Sequence, residues 1–164
     1  MGQVFHRLID SLLSERTQFN RIWFASDNLT PPQFSYQVNF PRLELVVKGE
    51  YANQIEDSNS GIAQVKVLTG DALYIPPNCW NKPLWDEDCT VLSLLFGRRQ
   101  LGFSLVSKRK NDPSFFDVQK HSIQTRTGHA IDHILEALNA IGRESRKSPM
   151  DEHLLAALMS YSQS

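Results

Sequence analysis

The strand-like run from Leu43 to Lys48 contains one carboxylate among apolar residues, and a cation precedes it. Glu44 interrupts the run, Arg42 stands just before it, and Gly49 is expected to end it. A carboxylate in such a run either points to solvent at a sheet edge or points inward to meet a ligand or an arginine. Arg42 is likewise either a solvated strand-start cation or an inward polar group. If they point inward, the two residues could bind a polar small molecule.

A second candidate region surrounds a turn, a short strand and a stop. The pair Gly70-Asp71 predicts a tight turn, the residues up to Ile75 favour a strand, and Pro76-Pro77 should end it. Tyr74 lies within this strand, and Trp80 and Asn81 follow it, where a barrel would open. Trp80 and Tyr74 could equally be packing residues. The predicted ligand-binding residues are Arg42, Glu44, Tyr74, Trp80 and Asn81.

The sequence gives less support to a metal site or a catalytic nucleophile than to a ligand-binding site. His129 and His133 are four residues apart in a helical pattern, but no carboxylate motif accompanies them, so we interpret them as helix-surface or interface histidines. Cys79 and Cys89 lack zinc-ligand spacing and are expected to be reduced thiols. No serine elbow, phosphate loop or dinucleotide fingerprint occurs. We therefore expect a protein that is not an enzyme and that uses no metal or cofactor.

Hydrophobic periodicity indicates eight short strands separated by turns, which favours a small closed or nearly closed β-barrel or jelly roll. In one of them, residues 34–40, alternate side chains should form an apolar face. The predicted strands are 22–24, 34–40, 43–48, 62–68, the strand after Gly70, 90–96, 101–107 and 116–123.

Three amphipathic helices are predicted around these strands. The first covers residues 4–13, the second starts after Thr127 and ends near Gly142, and the third begins at Ser148-Pro149. The apolar faces of the last two must cover the barrel, a second subunit, or both. The candidate dimer contacts are Ile131, Ile134, Leu135, Leu138, Leu154, Leu155 and Leu158. We place the barrel with its first helix in residues 1–125 and the helical dimerisation segment in residues 126–164.

Composition limits the class of protein. The chain has 164 residues, 41% of them hydrophobic, which suits one compact domain with an appended helical piece. Its net charge of -1 lacks the basic excess of a stand-alone nucleic-acid binder. No signal region or membrane span is indicated, so a cytoplasmic protein is expected.

The stretch from Gly70 to Asn81 resembles the second signature of cupin barrels, in which Gly, Pro, Gly and His recur at fixed spacing. Gly70 and Pro76 match, whereas Asn78 and Asn81 replace the second Gly and the metal-binding His. With the strand 43–49 and the two trailing helices, the chain is similar to the N-terminal effector-binding and dimerisation domain of AraC-family bacterial transcriptional regulators. The resemblance covers most of residues 20–162.

The resemblance implies a metal-free, cupin-like double-stranded β-helix that holds a small effector, with following helices that pair two subunits. In this family a helix-turn-helix module of about a hundred residues then contacts DNA. That module would lie beyond residue 164, so the sequence is either the sensor half of a regulator or a free-standing cupin. The Asn81 amide could replace the imidazole as a hydrogen-bonding group.

Two alternatives remain open at this point. A metal-free cupin isomerase would need an acid-base pair inside the barrel, for which Glu44 and Tyr74 are the candidates. A dimerisation domain with a filled barrel and no ligand is the other possibility, because Trp23, Trp80 and Trp85 could fill the interior.

Overall fold

The computed structural model describes residues 2–14, 19–57, 61–125, 129–144 and 150–162, and this part of the chain is mainly β-sheet with three helices. The helices are α1 (Gly2–Ser14), α2 (His129–Glu144) and α3 (Met150–Tyr161), close to the predicted positions. The predicted caps Thr127 and Ser148-Pro149 lie outside the described residues. The strands are β1 (Arg21–Phe24), β2 (Tyr36–Gln37), β3 (Arg42–Asp57), β4 (Gly61–Leu68), β5 (Asp71–Ile75), β6 (Trp80–Pro83), β7 (Cys89–Phe96), β8 (Gln100–Arg109) and β9 (Asp112–Gln124).

Two sheets share the long strand β3. The first sheet has the order β1-β5-β3-β7-β8-β9 and is antiparallel except for the parallel pair β1 and β5. The second sheet joins β2, β6, β3 and β4, all antiparallel. The half of β3 from Arg42 to Gly49 pairs with β7, and the half from Glu50 to Asp57 pairs with β4. The strand therefore passes from one sheet into the other.

Gly49 bends this strand and does not end it, so the predicted stop was wrong. Its φ is +83°, a conformation that glycine adopts without the steric cost that a Cβ brings. The register against β7 is irregular between Val46 and Lys48, just before the bend. Bulges and glycines of this kind increase strand bending locally. The bend lets one strand serve both sheets.

The predicted strand at residues 34–40 was also wrong in its extent and its faces. Only Tyr36 and Gln37 pair, with Asn81 and Trp80 of β6. Phe34 is 87% exposed and has a φ of +63°, which interrupts an extended chain. The apolar alternation of this segment therefore does not become a buried sheet face.

The central strands of the first sheet bury side chains on both faces, which we call inner, toward the second sheet, and outer, toward the helices. Alternation divides the side chains of β7, so that Leu92 and Leu94 pack on the outer face with the helices while Val91 packs on the inner face. The outer cluster includes Phe5 of α1 and Met159 of α3. One strand thus contacts both the space between the two sheets and the helix layer.

The helix residues predicted to form a dimer interface mostly belong to this outer cluster. Leu138, Leu155 and Leu158 are fully buried within the single chain, and Ile131 is 9% exposed. Their apolar surface is already covered by the sheet and by neighbouring helices, so a second subunit cannot reach them directly. Ile134, Leu135 and Leu154 are only partly buried against the same cluster.

Candidate ligand-binding site

Arg42 and Glu44 project from the inner face of β3 and line one cavity. They are separated by Leu43, which points to the outer face and packs with the helix layer. Both charged residues are buried, at 7% and 6% exposure. Of the two alternatives for Glu44, the structure shows the inward one.

Three side chains donate hydrogen bonds to the Glu44 carboxylate. Tyr51 Oη and Asn81 Nδ2 reach Oε1 at 2.8 and 3.2 Å, and Ser93 Oγ reaches Oε2 at 2.5 Å. The donors come from β3, β6 and β7, so both sheets contribute. This donor set fits the ionised carboxylate, which only accepts.

Arg42 continues the same network. Its Nη1 donates to Asn81 Oδ1 at 2.9 Å, and its Nη2 donates to the backbone oxygens of Tyr36 and Cys79 at 3.4 and 3.3 Å. Asn81 thus links the cation to the anion, and its Nδ2 also donates to Asn53 Oδ1 at 3.0 Å. Among the described residues, the buried Nε of Arg42 has no hydrogen-bond partner.

Tyr51 is held as a hydrogen-bond donor by its surroundings. Burial raises the pKa of its phenol well above the usual value, and the charge and hydrogen bond of Glu44 raise it further. A higher pKa keeps the hydroxyl protonated, which suits its bond to the carboxylate. The Tyr51 hydroxyl therefore remains a donor to Glu44 over the neutral pH range.

The cavity has a volume of about 290 Å³. Its floor is the polar network and its walls are mostly apolar. Trp85 packs edge-on against Phe116, with ring centroids 5.7 Å apart, and Tyr51 lies 5.3 Å from Trp85. Phe116 is half exposed, and Lys120 lines the cavity from the solvent side. The remaining apolar lining comprises Pro83, Val91, Leu95, Val106 and Val118.

Tyr74 and Trp80 were predicted to bind ligand, but they do not line this cavity. Tyr74 points to the outer face of β5, where its hydroxyl donates to Asn139 Oδ1 of α2 at 2.7 Å. Trp80 is fully buried and precedes Asn81 on β6, so alternation turns it away when Asn81 turns in. The sequence did not indicate which face of either strand would be the inner one.

The separation of Tyr74 from Glu44 also affects the enzyme alternative. The isomerase interpretation paired these two residues as acid and base inside the barrel. They project from opposite faces of the first sheet, so they cannot exchange a proton directly. Among the described residues, no group of three His, Cys, Asp or Glu side chains could hold a metal ion. Cys79 and Cys89 are buried and do not form a disulfide bond.

Three residues, Tyr51, Ser93 and Trp85, line the cavity but were not among the predicted ligand-binding residues. Tyr51 lies just past Gly49, where the strand was expected to stop. Ser93 is the only polar residue in the apolar run from Val91 to Phe96, and that isolation was a usable signal of an inward-facing hydroxyl. Trp85 was considered only as a filler of the barrel, whereas it forms a wall of the cavity.

Comparison with known proteins finds two relatives in Escherichia coli K12, each named as an uncharacterized HTH-type transcriptional regulator. YijO is 33% identical over 161 residues, which is 98% of this chain and 52% of that protein. YpdC is 31% identical over 160 residues, 96% of this chain and 52% of that protein. No family model and no solved structure matches. In the described residues no helix is long and apolar enough to span a bilayer. The chain is thus similar to two proteins named as transcriptional regulators, and it spans about half the length of each.

Proposed function

We propose that this chain is the effector-sensing and dimerisation part of an AraC-type, DNA-binding transcriptional regulator with a cupin-like barrel. The observation that carries the proposal is the open cavity with the Arg42–Asn81–Glu44 network at its floor. The names of the two relatives support a regulatory role. Because the chain spans about half of each relative, we place the DNA-binding helix-turn-helix module in the other half of such a protein.

The polar floor is better explained by ligand binding than by folding. Burying an arginine and a carboxylate costs more free energy than packing apolar residues of the same size. Here both charges line an open cavity whose other walls are mostly apolar, which is the usual composition of a small-molecule site. The half exposure of Phe116 supports an interior that side chains do not close. This arrangement favours the sensor over a filled dimerisation barrel.

In the proposed sensor, ligand binding at the inner face of the first sheet is coupled to the helices through the side chains on its outer face. Ligand would contact the inner face through Glu44 and Ser93, while Leu43 and Leu94 on the same strands pack under the helix layer. A ligand shifts the arrangement of the helices only through its differential affinity for two states of the protein. In a dimer, this shift would change the geometry of two attached DNA-binding modules.

Dimerisation through the helix pair must use surface that the sheet does not already cover. We propose that the partner subunit contacts the partly buried Ile134, Leu135 and Leu154 together with their exposed neighbours. A contact across a two-fold axis would bring the same surface of both subunits together.

A reporter fusion tests both parts of the proposal. Residues 1–164 are fused to a DNA-binding module that acts only as a dimer, and a panel of small molecules is screened for changes in reporter output. We expect reporter activity from the fusion and a response to at least one compound. Asn81→Leu should abolish that response without abolishing dimerisation, because it breaks the link between Arg42 and Glu44.

The matched control is Asn39→Leu, since Asn39 is exposed and outside the cavity. It should keep the response. Equal responses from both variants would contradict the pocket assignment, and an inactive fusion that sediments as a monomer would contradict the dimerisation role.

A further inference from the structure

We propose that the cavity selects an uncharged, largely apolar molecule with a single polar head that both accepts and donates a hydrogen bond, such as a carboxamide. The acceptor atom of the head would meet Arg42 and the donor would meet Glu44. The inference rests on the proposed function, because it names the ligand class of the same cavity. It excludes carboxylic acids and polyols as preferred ligands.

Most N–H groups of Arg42 already have hydrogen-bond partners in the protein. A carboxylate usually binds arginine through two parallel N–H groups. Both terminal nitrogens of Arg42 are already committed, to Asn81 Oδ1 and to the backbone oxygens of Tyr36 and Cys79. Nη1 uses one of its two N–H groups and Nη2 uses both, so the second N–H of Nη1 and the N–H of Nε remain, and Nε has no partner among the described residues. These two N–H groups do not lie side by side on one edge of the guanidinium, so the parallel fork that recognises an acid is not available.

Most acceptor sites of the Glu44 carboxylate are already occupied by protein donors. An ionised carboxylate has about four lone-pair sites. Tyr51 and Asn81 occupy two sites on Oε1, and Ser93 occupies one on Oε2. One site on Oε2 remains for a ligand donor. A ligand acid at the same place would put two carboxylates side by side, which electrostatic repulsion disfavours.

The cavity lining above the polar floor is mostly apolar. Apart from the floor, the cavity presents the Trp85–Phe116 pair and aliphatic side chains of β7, β8 and β9. Outside the floor, Ser104 and Tyr36 are the lining residues that carry a hydroxyl. A polyol would lose most of its hydrogen bonds to water against such walls, which is costly. An aromatic or aliphatic body would bury apolar surface there.

Lys120 is the other charged group of the cavity lining, and it offers an acid an alternative position. It is exposed, so its charge is screened by solvent. An acid could direct its head outward to Lys120 and leave the floor unused. The test must therefore separate recognition at the floor from recognition at the mouth.

The experiment compares two probes of the same shape, 2-naphthamide and 2-naphthoate, by isothermal titration calorimetry with the full chain. D-xylose serves as the polyol probe. In the wild type we expect 2-naphthamide to bind at least about tenfold more tightly than either of the others. Glu44→Gln removes the negative charge, so it should tighten 2-naphthoate about tenfold and reduce the preference for the amide. Lys120→Met should keep the preference for 2-naphthamide over 2-naphthoate, because the floor and not the mouth of the cavity sets that preference.

The outcomes separate this inference from the proposed function. Tighter binding of 2-naphthoate or D-xylose than of 2-naphthamide overturns the ligand class but leaves the cavity as a ligand site. Loss of 2-naphthoate binding in Lys120→Met, with no effect of Glu44→Gln, locates recognition at the mouth and also overturns the inference. If the wild type binds none of the probes, both the ligand class and the ligand-binding role of the cavity are rejected. The wild-type comparison does not depend on the folding of any variant.

Discussion

Cys89, Tyr51 and Tyr74 are acidic groups that the fold keeps protonated. Burial raises the pKa of the Cys89 thiol to about 11, and the nearby Asp88 and Asp86 carboxylates add to the rise. Burial also raises the pKa of both tyrosine phenols, with Glu44 adding to it at Tyr51 and Cys79 at Tyr74. In the unfolded chain each group loses its proton at a lower pH than in the native state.

These shifts predict an alkaline loss of stability. As pH rises above the ordinary pKa of cysteine and then of tyrosine, the unfolded chain releases protons that the native state still holds, so the free energy of unfolding falls. Urea titrations from about pH 8 to about pH 11 should show this decline. Cys89→Ala should have a shallower decline between about pH 9 and about pH 11, because one raised group is gone. A stability that stays flat over this range would contradict the prediction.

Glu56 is a buried carboxylate that organises a loop and does not line the cavity. It accepts hydrogen bonds from Ser26 Oγ at 3.0 Å, from the backbone N–H of Leu29 at 2.5 Å and from that of Asn28. The residue is 1% exposed. The Glu56 side chain, together with its backbone oxygen, which accepts from the Ser26 N–H at 2.9 Å, therefore holds the segment after β1 to the second sheet.

We predict that Glu56→Ala lowers the free energy of unfolding by about 3 kcal/mol, because three donors lose a charged acceptor. Equilibrium urea unfolding measures the change. The control is Glu50→Ala on the same strand. Glu50 is about half exposed and lies 3.8 Å from Lys66 Nζ, so its loss should cost within about 0.5 kcal/mol. Equal costs for both variants would show that the loop contacts add nothing.

The sequence indicated which polar residues form the cavity floor, but it did not indicate which face of each strand is the inner one. Arg42 and Glu44 were chosen as charged groups at an apolar strand that could point inward, Asn81 was chosen by its position just past a strand end, and all three line the cavity. Tyr74 and Trp80 were chosen by the same proximity and face elsewhere. Strand alternation fixes relative orientation only, and the inner face depends on pairings between residues far apart in the chain.

At the level of strands, Gly49 allows β3 to bend between the two sheets. A Cβ at this position would collide with the backbone carbonyl oxygen of Asp88. Gly61, at the start of β4, also has a positive φ, +78°, but the nearest atom to its added Cβ is Leu29 Cδ1 at 3.9 Å. The two glycines share a backbone conformation and differ in the space around them.

We predict that Gly49→Ala costs about 3 kcal/mol or more of unfolding free energy, since the left-handed strain and the clash with Asp88 add together. Gly61→Ala should cost only the strain, about 1 kcal/mol. Urea unfolding of the two variants beside the wild type measures the difference. Similar costs would mean that the backbone of Asp88 yields easily, and that the bend is not tightly packed.

Clean alternation alone did not ensure a correct strand prediction, because the alternating residues 34–40 form only the two-residue strand β2. Residues 62–68 alternate and form β4, and the turn at Gly70 is confirmed by its φ of +102° and by the Leu68 N–H bond to the Asp71 carboxylate at 2.9 Å. The second half of β3 was missed because the Gly49 signal reads as a stop and the polar residues after it obscure the alternation. Its polar side chains are explained only by contacts that the sequence does not show.

For the whole molecule, a single outer cluster joins the first sheet to all three helices. It contains Leu45 and Leu92 of the sheet, Phe5 of α1, Leu138 of α2 and Leu155 of α3. The predicted boundary near residue 125 does not divide this cluster, which contains residues from both sides of it. Cores shared in this way unfold together in small proteins.

We therefore predict one cooperative unfolding transition. All three tryptophans lie before residue 86, so their fluorescence reports on the barrel, while far-ultraviolet circular dichroism is sensitive to the helices. The two signals should change at the same urea concentration. Leu155→Ala, in α3, should shift both midpoints equally and cost about 2–5 kcal/mol, because it leaves a cavity in the shared cluster. Leu68→Ala, at a 44% exposed position, should shift neither by much. If Leu155→Ala moved only the circular dichroism midpoint, the helices would be a separate unit, and a signal from the cavity could not reach them through a common core.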